Sequence, residues 1–171
     1  MNDETEKLAE ARKRFEELRG RAQSLIMATV GENALPRASY APFVYDSAAF
    51  YVYLSRLSEH TQELISNPEV SILLIADEVD TTQIFARMRL SYLCQAVVIN
   101  RNEAGYDVTL DHFKRRFGKV MDLLQSLPDF VLFRLTPTSG RFVTGFGQAY
   151  DLVGNQLDDL LPVGPGQVDS G

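Results

Sequence analysis

The chain has 171 residues, a formal net charge of −6 and a pI near 4.9. That length suits one domain burying roughly two thirds of its unfolded surface, and an acidic surface repels nucleic-acid phosphates. No apolar run approaches the roughly 20 residues of a membrane span, and the charged start MNDETEKLAEARKR lacks the apolar core of a secretory signal. A single cysteine, Cys94, cannot form an internal disulfide, which fits a reducing compartment. The expectation is a cytoplasmic protein with neither nucleic acid nor membrane as partner.

The first 22 residues read as an N-terminal helix, because Leu8, Ala11, Phe15, Leu18 and Ala22 recur at 3-4-3-4 spacing and make one apolar stripe. SLIMATV, RASYAPFVY and DSAAFYVYL then alternate in the manner of a strand meander, broken by the turn-rich GENALP. SEHTQELISNP reads as a short helix with Ser58 at its N-cap and Asn67-Pro68 as its stop. EVSILLIA is a buried strand, and FARMRLSYLCQAVVI a long one in which Cys94 is an inert core thiol.

Residues 103 to 126 keep a helical period through Leu110, Phe113, Phe117, Val120 and Leu124, and Pro128 closes it. Within it, KRRFGK (114–119) and His112 form a solvated face. FVLFRLTP and GRFVTGFGQAYDL make a final strand pair turning at Thr138-Ser139-Gly140. TGFGQAY (144–150) has the look of a phosphate loop, but no helix follows whose N-terminal amides could hold an anion. Its glycines instead mark places where a side chain would obstruct a neighbour. The expected organisation is a helix over 1–22, a barrel domain over 23–152 and a flexible tail over 153–171, with about seven strands and three helices.

Six segments carry a resemblance: SYAPFV (39–44), NPEVSILLI (67–75), FARMRL (85–90), FGKVMD (117–122), DFVLFRL (129–135) and GRFVTGFGQAY (140–150). In this order they resemble the HutZ/HugZ heme-utilisation family, within the pyridoxamine 5'-phosphate oxidase-like FMN-binding group. The resemblance spans residues 20 to 152. It implies a mainly β split barrel with helices that pairs as a homodimer and takes a small-molecule cofactor at the subunit interface. That cofactor is heme in this branch and FMN in the oxidases. The implied function is heme binding, with heme degradation for iron release as the catalytic version. The alternatives are an FMN-dependent oxidoreductase of the same fold, or a non-catalytic dimeric binding protein whose cofactor site has decayed.

The resemblance also assigns residues. Arg37 matches an early-strand arginine that holds the FMN phosphate. Ser58 matches the hydroxyl of a Ser-Arg-Lys run that here reads Ser58-Glu59-His60, so two cations are lost and an anion gained. His60 matches a histidine near the interface in the heme branch, and Arg89 a basic position able to meet a heme propionate. Asp129 matches the acid that orients an axial histidine contributed by the C-terminal tail. At that histidine's position this chain has Gln167, a poor iron ligand. No paired-cysteine or His-x-x-x-His spacing points to a structural metal.

Overall fold

The computed structural model describes residues 3–164. Its strands are β1 (Ser24–Val30), β2 (Pro36–Asp46), β3 (Ala49–Ser55), β4 (Glu69–Ile75), β5 (Arg89–Ile99), β6 (Phe130–Gly145), β7 (Gln148–Val153) and β8 (Asp159–Pro162). The helices are α1 (Asp3–Arg21), α2 (Glu59–Ser66), α3 (Tyr106–Phe117) and α4 (Val120–Ser126), with single 3-10 turns at Glu78–Asp80 and Ile84–Ala86. Six strands follow one another in the order β3-β2-β1-β4-β5-β6, and β3 pairs with β6 to close a barrel. β7 and β8 continue the sheet beyond β6. The split-barrel architecture expected from the sequence is the one observed.

The chain divides into two compact units, one holding residues 23–72 and 93–138, the other residues 73–92 with the two chain ends. In the first, β1 alternates strictly, burying Leu25, Met27 and Thr29 while Ser24, Ile26 and Ala28 face outward. This is the period of two that a pleated strand imposes. β3 is buried on both faces, because α3 and α4 cover the barrel's outside there. Val44, Tyr53, Tyr106, Leu110, Phe113, Met121 and Leu132 form that second apolar layer.

The expected single helix over 103–126 is two. Gly118 adopts φ +75° and ψ −149°, a conformation open almost only to glycine, which ends α3, and its N–H donates to the Lys114 carbonyl at 2.8 Å. After the break the buried position moves to Met121, while Val120 is half exposed.

In the second unit α1 buries Ala11, Phe15 and Leu18, as its stripe predicted. Phe15 meets Phe142 edge to face, with centroids 5.6 Å apart and planes at 73°, and the Arg19 guanidinium lies 4.8 Å from the Phe15 ring centre. Arg12 reaches Asp159 at 2.7 Å and ties α1 to β8.

Three expectations need correction here. β6 runs unbroken through Thr138-Ser139-Gly140, and the turn lies at Phe146-Gly147, where Gly145 pairs with Gln148 and Gly147 has φ +65°. Gly147 is therefore present for its backbone conformation, with no neighbour within 4 Å of a notional Cβ. Residues 159–162, placed in a flexible tail, form β8 in register with β7, Leu160 opposite Leu152. A four-residue strand is too short to show a period beside so much Gly and Pro. Finally, the strand expected from Phe85 begins at Arg89, after the 3-10 turn.

Gly140, by contrast, does avoid an obstruction. A Cβ there would lie 2.6 Å from Leu152 Cδ1 and 2.7 Å from Tyr92 Cδ1. Gly140→Ala is expected to cost about 1–3 kcal/mol through overpacking. Thermal melting should read this as a fall of several degrees; an unchanged midpoint would show that the Tyr92 ring yields freely.

Candidate functional site

The candidate residues on the first unit gather around α2. Ser58 holds the N-cap position in extended conformation, φ −83° and ψ 137°, and its carbonyl accepts from the Thr61 N–H at 3.1 Å. Its hydroxyl makes no capping bond to the helix. Thr61 and Leu64 are buried, which turns Glu59, His60 and Glu63 toward β1 and β2 or solvent. Asn67 stops the helix, as its place before Pro68 predicted.

Arg37, on β2, does not wait for a ligand. Its Nε donates to Glu63 Oε1 at 2.9 Å, and its Nη1 lies 2.6 Å from Glu59 Oε2. The other Glu63 oxygen, Oε2, accepts from the Thr29 hydroxyl at 2.6 Å. One positive charge thus faces two negative ones. The bond from Thr29, followed by that from Arg37, holds the Glu63 carboxyl below its ordinary range. Arg37 is raised above its own, first by Glu63. The His60 imidazole is lowered, chiefly by burial and further by Arg37, with Glu63 opposing. His60 is therefore neutral near pH 7, with a ring nitrogen lone pair available.

Asp129 is fastened at the entrance to the same helix. Its Oδ2 accepts a hydrogen bond from the Ser55 hydroxyl, whose oxygen in turn accepts from the Leu57 N–H at 3.1 Å. The Asp129 carbonyl accepts from the Arg56 N–H at 2.8 Å. Backbone and side chain together fix this carboxylate on the β3–α2 turn.

The profile of the pyridoxamine 5'-phosphate oxidase family matches residues 11–144. The chain belongs to this family. Within it, the chain sits with the HutZ-type heme-utilisation proteins. HutZ of Vibrio cholerae serotype O1 (strain ATCC 39315 / El Tor Inaba N16961), named a heme oxygenase, is 40% identical over 147 residues, 86% of this chain and 84% of HutZ. A crystal structure of Vibrio cholerae HutZ, described there as a heme storage protein, superposes with a TM-score of 0.71 at 37% identity, covering 73% of this chain and 88% of that one. Campylobacter jejuni ChuZ gives a TM-score of 0.81 at 33% identity over 91% of this chain, which spans only 63% of ChuZ.

Several members of this family are expected to hold FMN by its phosphate, and the residues present here do not fit that group as they stand. The cation at the phosphate position is already paired twice, and a phosphomonoester would add negative charge to a cluster that is net negative. For heme, the described residues supply His60 and the oriented Asp129. The tail position Gln167 lies outside the described residues. Arg89 belongs to the other compact unit, where its Nη1 donates to the Arg87 carbonyl at 3.1 Å. Arg87 in turn pins the 76–88 loop through Ala76 O at 2.5 Å and Glu78 Oε1 at 3.0 Å.

His112 is half buried rather than solvent-facing, with Nδ1 4.0 Å from Asp46 Oδ2. Cys94 is buried, and burial pushes its thiol up to about 12, so it is no nucleophile. Sequence reasoning missed Glu63 and Ser55. Glu63 had a signal, since it stands four residues after Glu59 on one helix face; Ser55 had none.

The His60 shift has a measurable sign. Folding lowers its pKa, so the folded chain binds this proton less readily than the unfolded chain. Stability should fall as pH drops below the unfolded value of about 6.5, and level off once the folded pKa is passed. Denaturant titrations between pH 5 and 8 should show this slope reduced in His60→Gln, and the assigned His60 NMR signal should titrate below an ordinary histidine.

Proposed function

We propose that this chain is a heme-utilisation protein, binding heme as its cargo between two copies of itself and opening it to release iron. The observation that carries the reading is the 40% identity to the heme oxygenase HutZ over 84% of that protein's length. Three features of the chain support it. His60 offers a neutral imidazole, the form that can donate to iron. Asp129 is held rigidly, as a group that orients a ligand must be. The barrel also leaves apolar side chains outside: Ile26 lies opposite Tyr40 in the β1–β2 register, and both are exposed, as are Leu93 and Val97 on β5. Exposed apolar side chains of this kind suit contact with a second copy or with a flat porphyrin.

On this reading the protein works in the cytoplasm as a homodimer. Bound heme would supply the redox chemistry. The roles of this chain's residues are to seat the macrocycle, to donate from His60 and to fix orientation through Asp129. Storage of heme without turnover is a second reading, favoured by the description of the HutZ crystal structure as a heme storage protein. No helix among the described residues is long and apolar enough to cross a membrane.

Hemin titration tests the proposal. A Soret band should grow to an end point of one heme per subunit, and light scattering should give the mass of a dimer. His60→Ala should weaken hemin binding by roughly tenfold or more, about 1.4 kcal/mol. No Soret change at micromolar hemin would sink the reading. Adding a reductant in air to the loaded protein separates opening, in which the Soret band bleaches and iron becomes chelatable, from storage, in which it persists.

A further inference from the structure

We infer that Glu59 and Glu63 act as a built-in anion that occupies the Arg37 site and makes the protein refuse phosphomonoester ligands. The inference concerns which ligands are turned away, and it stands whether or not heme is bound.

The donors that converge here are those an anion site uses: a guanidinium presenting Nε–H and Nη1–H, and the Thr29 hydroxyl. The protein itself supplies the acceptors. Glu63 spends one oxygen on Arg37 and the other on Thr29, so its carboxylate bridges two strand residues much as a bound oxyanion would. Its side chain is only 12% exposed, against 72% for Glu59. The two carboxylates therefore differ in kind. Glu59 can swing into solvent, whereas Glu63 is packed in place.

The space for Glu63 is also specified. A Cβ on Gly31 would come within 3.3 Å of Glu63 Cγ and Oε1, so the β1–β2 turn closes tightly around this carboxylate. Gly31 does not lie in the left-handed region that requires glycine. Its smallness serves the close approach instead. Thr29, Gly31, Arg37 and Glu63 thus form one arrangement in which a carboxylate is the seated anion. Glu59 then adds a second negative charge over the same guanidinium. An incoming phosphate of nearly two negative charges would have to displace Glu59 and still face Glu63.

The test uses the full chain and two probes that differ only in a phosphate, FMN and riboflavin, followed by quenching of flavin fluorescence. Wild type should show no saturable FMN binding at ~100 μM, a concentration far above the Kd of a tight site. Glu59→Gln/Glu63→Gln keeps both shapes and removes both charges. It should bind FMN at least tenfold more tightly than wild type, with no comparable gain for riboflavin. Adding Arg37→Ala to that double variant should abolish the gain.

An equal gain for both flavins, no gain in a double variant that melts as wild type does, or micromolar FMN binding by wild type would each overturn the inference. Should the double variant fail to fold, the wild-type protein still decides the matter. The Arg37 Nε–H signal in nitrogen-15 NMR should be protected and should stay in place when inorganic phosphate is added. A saturable shift with phosphate would overturn the inference.

Discussion

Closure of the barrel through β3 and β6 is the constraint on which the rest depends. The register runs from Phe50 opposite Leu135 to Ser55 opposite Phe130. A closed sheet leaves no edge among these six strands, so every residue on them is committed either to the interior or to the outside. The same register carries Asp129, one residue before β6, to the end of β3, where Ser55 ends the pairing. The Ser55–Asp129 hydrogen bond and the Arg56–Asp129 backbone bond are consequences of barrel closure rather than of any local motif. One pairing thus closes the core and sets the carboxylate at the entrance to α2.

Burial then sorts the chemistry. β3 is covered on its outside by α3 and α4, whose aromatic layer is built on Tyr53, Phe113 and Phe130. On β1, β2 and β5, Ile26, Tyr40, Leu93 and Val97 stay exposed. α2 is the short helix that carries the charged residues. Its buried side anchors on Thr61 and Leu64, and its Glu59–Glu63 side takes Arg37.

Local periodicity was legible wherever one face of an element meets the core. The α1 stripe buried Ala11, Phe15 and Leu18 as read, and β1 alternated as read, because burial repeats with the geometry of the backbone. The break at Gly118 was hidden, since Leu110, Phe113, Phe117, Val120 and Leu124 continue a helical period straight through it. The turn at Phe146-Gly147 was misplaced to 138–140 because Thr-Ser-Gly is an equally good turn sequence; the unbroken run of β6 overrides that preference. The candidate residues were found through motif order, and their relations were not. Nothing in Arg37 or Glu63, 26 residues apart, announces that they touch.

The sequence by itself determined the class of fold and the family, because alternation, helical stripes and six ordered motifs are properties of short segments. It also determined which side chains are available: a single thiol, two histidines and the arginine at position 37. Only the tertiary structure decided what those side chains are doing. Arg37 is a cation in the sequence and the shared partner of two carboxylates in the fold; His60 is an ordinary imidazole until burial lowers its affinity for a proton. Charge state and partnership depend on what the chain brings within about 3 Å, the range of a hydrogen bond, and that distance is set by strand register and helix placement rather than by spacing along the chain.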